Sequence, residues 1–190
     1  LAELLPIQED SVNNIADQKR IAQQFITAGS PERAVSIYRS VQQRDPRDIE
    51  AYIGLADVAL SLGDYRSAQT NLVAAQKLAA DSTTLRPRIA LVDSAIALDP
   101  TQRGLTLGQQ SERSRTLLQL TLASVRKCLR NESSPLMTAV DSSAQYLVAR
   151  PESIQQSLTL AQQLWGLRRT HCARDPEPSP LSLVQDRIAQ

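Results

Sequence analysis

The residues best suited to chemistry are few, because this chain of 190 residues holds only one His and two Cys. His171 and Cys172 are adjacent, and neighbours on a helix point about 100° apart, so they form no ready chelating pair. A His can act as a general base, but the sequence places no Ser or Cys nucleophile to serve His171. We therefore expect neither a metal site nor a catalytic site around these residues.

A glycine-containing stretch, residues 104–111, reads Gly-Leu-Thr-Leu-Gly-Gln-Gln-Ser. A phosphate-binding loop needs Gly-Lys-Ser or Gly-Lys-Thr, because its lysine reaches the phosphates, and this stretch has no lysine. The Gly-x-Ser-x-Gly turn that presents a nucleophilic serine is also missing from the sequence. These patterns predict a protein that is not an enzyme and that needs no cofactor.

Basic and acidic residues nearly balance, at 21 and 20, and the net charge is +1. No basic tract stands out, so we exclude general electrostatic binding to nucleic acid or to anionic lipid. The few aromatic residues, 3% of the chain, also argue against a platform on which bases stack. No apolar run approaches the ~18 residues of a membrane span. We predict no nucleic-acid partner and no direct membrane insertion in this chain.

The elements that must position any site are helices, because the apolar content is mostly Leu and Ala, both strong helix formers. Two segments, about Asp17–Pro46 and about Ala51–Ala80, align at an offset of 34 residues. In the alignment Gly29 pairs with Gly63, and each glycine interrupts a helical pattern of apolar residues. Each segment therefore predicts two helices joined by a short turn.

The aligned positions carry a recognisable pattern. In the first unit it is Ile21, Ala22, Phe25, Gly29, Ala34, Tyr38 and Pro46; in the second it is Tyr52, Leu55, Ala56, Gly63, Tyr65, Ala68, Leu72 and Ala75. This pattern resembles the tetratricopeptide repeat, although Gln18 and Pro31 depart from it. The resemblance implies an all-α fold, a right-handed α-solenoid of about four stacked helical hairpins. It also implies that the signature residues hold the fold and do not touch a ligand.

The rest of the chain keeps the helical period without the signature. We predict a solenoid over residues 1–172, with clear repeats at about 15–48 and 49–82 and degenerate hairpins at 84–130 and 136–172. Residues 173–190 are predicted as a Pro-rich linker and a short amphipathic helix with Leu181, Val184 and Ile188 on its apolar face. Such a short helix is not stable alone, so we expect it to pack on the body or on a second copy.

In the tetratricopeptide family the first helix of each hairpin lines a concave groove. Carried onto this sequence, the groove residues are Lys19, Gln23, Ile26, Glu50, Ile53, Asp57, Leu60, Arg88 and Leu91. Lys19 and Arg88 resemble two members of the family's clamp for a carboxyl terminus, but Gln23, Gly54 and Thr84 depart from it. The mixed groove would suit an amphipathic helix or an extended segment with a basic residue. The alternative is that these side chains simply face solvent.

Two functions follow as hypotheses. The first is a non-catalytic scaffold that binds a peptide or protein segment, of unknown identity, in the groove. The second is a structural subunit that assembles with copies of itself through the solenoid faces and the C-terminal tail. The chain opens at Leu1 without an initiating Met or a signal peptide, so we expect a processed product or an excerpt.

The two cysteines lie near matching ends of two predicted helices, 109–130 and 152–171. These are the second helices of consecutive hairpins, which run parallel in a stacked solenoid, so Cys128 and Cys172 can reach the ~5.5–6 Å Cα separation of a disulfide. The alternative is two free thiols, with Cys128 packed against the core. A bonded pair predicts an extracytoplasmic protein, periplasmic or secreted, and free thiols predict a cytoplasmic one. We also expect a bacterial source.

Overall fold

The computed structural model describes residues 14–80, 82–129, 138, 140–142, 145, 153–173 and 177–189. Its helices are α1 (Ile15–Thr27), α2 (Pro31–Arg44), α3 (Ile49–Ser61), α4 (Tyr65–Leu78), α5 (Leu85–Leu98), α6 (Leu107–Cys128), α7 (Ile154–His171) and α8 (Pro180–Ile188). The described residues contain no strand, which confirms the all-α prediction. Residues 1–13 of the predicted solenoid, and most of residues 136–149 in its last predicted hairpin, lie outside the described residues.

The chain divides into two units, residues 1–93 and residues 94–190, and the boundary falls inside α5. In unit 1 the two helices of each predicted hairpin pack together, α1 with α2 and α3 with α4. In addition α1 and α2 both contact α3, so the hairpins stack as in an α-solenoid. A continuous solenoid over residues 1–172 stays a prediction.

The turns of the two hairpins in unit 1 have the same geometry. Gly29 and Gly63 adopt φ angles of +75° and +69°, a left-handed conformation that a Cβ would oppose. In each turn the amide of the residue after the glycine donates to the carbonyl five residues back, Ser30 to Phe25 and Asp64 to Ala59, at 2.9 and 2.8 Å. The same turn conformation and hydrogen bond thus recur in the backbone 34 residues apart, as the predicted repeat requires.

Small and large side chains share the core of unit 1. The alanines of the repeat pattern are fully buried, which lets paired helices approach closely: Ala22, Ala34, Ala56 and Ala68. Asp48 and Asp64 cap α3 and α4 by accepting hydrogen bonds from backbone amides in the first turns. Ser30 occupies the N-cap of α2 and Pro31 its first turn, but the Ser30 side chain makes no capping hydrogen bond.

Unit 2 is built on the contact between α6 and α7. One apolar face of α6 is buried, with Leu118, Leu122, Val125 and the following Leu129 all under a tenth exposed. The start of α6 carries a capping box between Thr106 and Gln109. The end of α5 is held by Arg113, whose guanidinium donates to the carbonyls of Ile96 and Asp99 at 2.8 and 3.1 Å.

The C-terminal ends of α6 and α7 meet at the two cysteines. The structure joins Cys128 to Cys172 as a disulfide, with the Cα atoms 6.0 Å apart. Cys128 is the last residue of α6 and Cys172 is the C-cap of α7, so the two helices end at the same edge of unit 2. Cys128 is exposed and is not packed against the core, unlike in the free-thiol alternative.

The C-terminal helix α8 packs on α6 and α7 of its own unit. Val184 is fully buried, and Leu181 and Ile188 are half-buried. Polar contacts then fix the helix in place: the buried Gln185 amide donates to Thr121 Oγ1 at 2.7 Å, the Trp165 indole donates to Asp186 at 2.9 Å, and Arg187 pairs with the buried Asp99. The tail is therefore part of unit 2, and its apolar face contacts the body as expected.

Replacing Val184 by Asp should release α8. The change buries a charge without a partner, which costs more than the ~1.5–3 kcal/mol that a buried Val contributes. Trp165, only 4% exposed and bonded to α8 through Asp186, should then show a red-shifted fluorescence maximum. Leu107→Asp is the matched control, because Leu107 is a 76% exposed Leu of the same unit, and it should leave the spectrum unchanged. A wild-type spectrum for Val184→Asp would mean that α8 is not docked in solution.

Candidate functional site

The nine groove residues predicted from the sequence all lie in unit 1, on α1, α3 and α5, and we call them the first-helix face. Four of them come from α3 at spacings of three, four and three residues, which puts them on one side of that helix: Glu50, Ile53, Asp57 and Leu60. Along α3 the face therefore alternates between acidic and apolar side chains.

Lys19 on α1 reaches across to the start of α3. Its ammonium lies 2.8 Å from Asp48 Oδ2 and 2.5 Å from Glu50 Oε2, and its side chain is only 20% exposed. Burial by itself lowers the pKa of Lys19, but the hydrogen bonds and charges of Asp48 and Glu50 raise it more, so the net shift is upward. The sequence pattern did not single out Asp48, although a helix N-cap two residues before a face residue was a usable signal.

Arg88 on α5 forms an ion pair with Asp57 on α3. Burial raises the pKa of Asp57 and outweighs the opposing effect of the Arg88 guanidinium. The two cations that resemble a carboxylate clamp, Lys19 and Arg88, are thus both bound by carboxylates of their own unit. A ligand carboxylate would have to displace Asp48, Glu50 or Asp57 to use them, so the pairing disfavours that kind of ligand.

Tyr38 on α2 connects the core to the first-helix face. A Cβ at Gly54 would lie 2.2 Å from the Tyr38 ring, so the ring fills the space that a larger residue on α3 would need. The hydroxyl group then lies 3.3 Å from Gln23 Oε1 and 3.5 Å from the carbonyl oxygen of Lys19, both on α1. The sequence showed Gly54 only as a missing clamp residue, whereas the structure gives it a packing role.

The comparison with known families agrees with this geometry. The tetratricopeptide repeat family model matches residues 25–86, about a third of the chain. This segment matches the tetratricopeptide repeat family. The match contains α2 to α4 and the glycine turn at Gly63, so the repeat predicted from the sequence is confirmed there. No curated protein and no solved structure gives a significant match.

The apolar members of the first-helix face flank the polar ones. Ile26, Ile53, Leu60 and Leu91 are all half-buried, so each still has surface to bury. Ile26 also packs against the core of the repeat region, next to buried residues of α1 and α2. The face is therefore mixed, with paired charges and partly exposed aliphatic side chains. That it forms a binding groove stays a prediction.

Within the described residues, no helix is long and apolar enough to cross a membrane. The same described part of the chain has no group of three or more His, Cys, Asp and Glu side chains that could hold a metal ion. The single His of the sequence, His171, is exposed on the last turn of α7.

Tyr38 should ionise at higher pH than an ordinary tyrosine. Burial raises its pKa to about 12, and the charges of Asp57 and Glu50 add to the shift while Lys19 opposes it. Because an unfolded Tyr has a pKa of about 10, the folded state binds more protons between these values, and stability should fall as pH rises through that window. Ultraviolet titration should show a late tyrosinate transition that Tyr38→Phe removes. A late transition that persists in Tyr38→Phe would assign it to another tyrosine.

Proposed function

We propose that this protein is a non-catalytic interaction module whose first-helix face binds a segment of another protein. Tetratricopeptide repeats generally mediate protein–protein interaction, and stacked hairpins present extended surfaces suited to it. The observation that carries the proposal is the alternation along α3, where the half-buried Ile53 and Leu60 lie beside the paired carboxylates of Glu50 and Asp57.

The face is also prepared for binding. The ion pairs Lys19–Glu50 and Asp57–Arg88 restrain long side chains before a partner arrives, so less rotamer freedom remains to be lost on association. The aliphatic side chains between them can then gain burial, which supplies the non-directional part of the binding free energy. Either an amphipathic helix or an extended segment would suit such a surface.

The proposal is tested by capture of partners from the source lysate with paired variants. Ile53→Asp together with Leu60→Asp should abolish a captured band, because both changes put a charge where the partner is expected to bury apolar surface. Leu78→Asp is the control, since Leu78 is an exposed Leu on α4, a second helix of the same unit. Circular dichroism must show that all three proteins are folded. Equal capture by both variants would contradict the proposed face.

Self-assembly stays the alternative function. The tail on which it partly relies has Gln185, Asp186 and Arg187 engaged within unit 2, so this feature does not favour a second copy. Static light scattering over a range of concentrations separates the two functions. A molar mass that rises with concentration in the purified protein would favour self-assembly, and a constant monomer mass would favour a separate partner.

We further infer an extracytoplasmic location. Cys128 and Cys172 lie at disulfide distance, and disulfides persist in oxidising compartments such as a periplasm or the secreted space. The intact mass of the natural protein under non-reducing conditions tests this location, because it shows whether the two cysteines are bonded.

A further inference from the structure

The first-helix face and its cap hold more carboxylates than cations. Lys19 bridges two carboxylates, those of Asp48 and Glu50, and Arg88 pairs with a third, that of Asp57. One negative charge on this polar row is therefore left without a matching cation among these five side chains. An incoming segment with a positive charge would complete the pairing, and one with a negative charge would meet repulsion.

One of the three carboxylates is also accessible to a partner. The Glu50 side chain is 75% exposed, whereas Asp48 is 9% and Asp57 30% exposed. Glu50 is thus the carboxylate that a partner can reach without breaking the internal structure. Its single cationic partner here, Lys19, is shared with the more deeply buried Asp48, which accepts from Lys19 at 2.8 Å.

The electrostatic field at the centre of the face has the same sign. The pKa of Tyr38 is raised first by burial and then by the charges of Asp57 and Glu50, whose effect the charge of Lys19 opposes. The Tyr38 hydroxyl lies 3.3 Å from Gln23 Oε1 and 3.5 Å from the Lys19 carbonyl oxygen, so two acceptor oxygens lie next to it. Hydrogen-bond acceptors and negative charge favour an ammonium or a guanidinium group, which carry only donors.

The spacing of side chains on α3 indicates which residue pattern in a partner segment the face would recognise. Glu50 and Asp57 are seven residues apart, about two turns or ~10.5 Å along the helix. Ile53 lies between them and Leu60 follows, so acidic and apolar side chains alternate on one side of α3. A matching segment would offer Lys or Arg next to aliphatic side chains.

Building on the proposed function, we propose that the partner of the first-helix face is a basic, amphipathic segment, with a Lys or Arg bound at Glu50 and aliphatic side chains on Ile53 and Leu60. The opposite chemistry, a segment that ends in a free carboxylate, is disfavoured because Lys19 and Arg88 are already ion-paired.

The test selects ligands for the full chain from a random-peptide display library. We expect the selected peptides to be enriched in Lys and Arg beside aliphatic residues. The best peptide, measured by fluorescence anisotropy, should bind Glu50→Lys at least about 5-fold more weakly, the upper range of one exposed ion pair, and repulsion adds to that loss. Binding to the wild type should also weaken as salt rises from about 0.02 M to about 0.15 M.

Glu32→Lys is the matched control, because Glu32 is exposed on α2, a second helix of the same unit, and gives the same change in net charge. It should bind the peptide as the wild type does. Selected peptides that are neutral or acidic, or equal losses in Glu50→Lys and Glu32→Lys, would overturn the basic-segment inference and leave the proposed function standing. A different outcome would overturn both the basic-segment inference and the proposed function. In that outcome, every selected peptide binds the Ile53→Asp, Leu60→Asp double variant as well as it binds the wild type, or no peptide is selected.

Discussion

Replacing Cys128 and Cys172 together by Ser should lower the free energy of unfolding of unit 2 by ~4 kcal/mol. The bond joins residues 44 apart in sequence, and the chain-entropy model gives about this value for a loop of that length. Serine fits without a new buried polar group, because Cys128 is exposed and Cys172 is partly exposed. The loss of stability should therefore come from the higher conformational entropy of the unfolded chain and from the missing covalent link between the ends of α6 and α7.

Trp165 is the natural probe, since it is the single tryptophan of the chain and is buried on α7. Its fluorescence in a guanidinium titration should show a lower midpoint for the double variant. Wild-type protein treated with a reductant is the internal control and should shift to a similar midpoint. If the wild-type midpoint is the same with and without the reductant, the bond adds no stability.

The bond itself is checked by intact mass under non-reducing conditions. A bonded chain is about 2 Da lighter than its reduced form, because two hydrogens are lost when the disulfide forms. Two thiols that react with a maleimide in the native, unreduced protein would contradict both the bond and the extracytoplasmic location inferred from it.

Gly54→Ala should destabilise unit 1, although alanine is ordinarily the better helix former. The new Cβ would lie 2.2 to 2.6 Å from three carbons of the buried Tyr38 ring, so either the ring or α3 must shift. Overpacking of this kind costs ~1–3 kcal/mol, more than the ~0.5–1 kcal/mol gained in helix propensity. Hydrogen exchange of peptides from α3 should therefore quicken.

Gly166→Ala is the control: it is the same substitution, but it should stabilise its unit. Gly166 also lies inside a helix, α7, but a Cβ there meets no atom within 4 Å, so only the propensity gain of ~0.5–1 kcal/mol remains. A second change, Tyr38→Leu in the Gly54→Ala background, should recover part of the lost stability because the two sites touch. A Gly54→Ala variant as stable as Gly166→Ala would show that Tyr38 does not occupy this space.

The turns and the close helix pairs of unit 1 follow directly from local sequence signals. Gly29 and Gly63 mark the two turns because only residues without a Cβ tolerate their positive φ at little cost. The recurring alanines mark close helix pairs because a larger side chain would separate them. Both signals depend on steric limits within one turn or one hairpin, which a short stretch of sequence carries completely.

The partners of charged and large side chains were decided only by the tertiary structure. The sequence placed Lys19 and Arg88 on a face but not beside Asp48 and Asp57, which lie 29 and 31 residues away along the chain. The pairing of Arg187 with Asp99 and the approach of Tyr38 to Gly54 were likewise not visible. Such contacts depend on small rotations and shifts of whole helices, and residue spacing within one helix does not encode them.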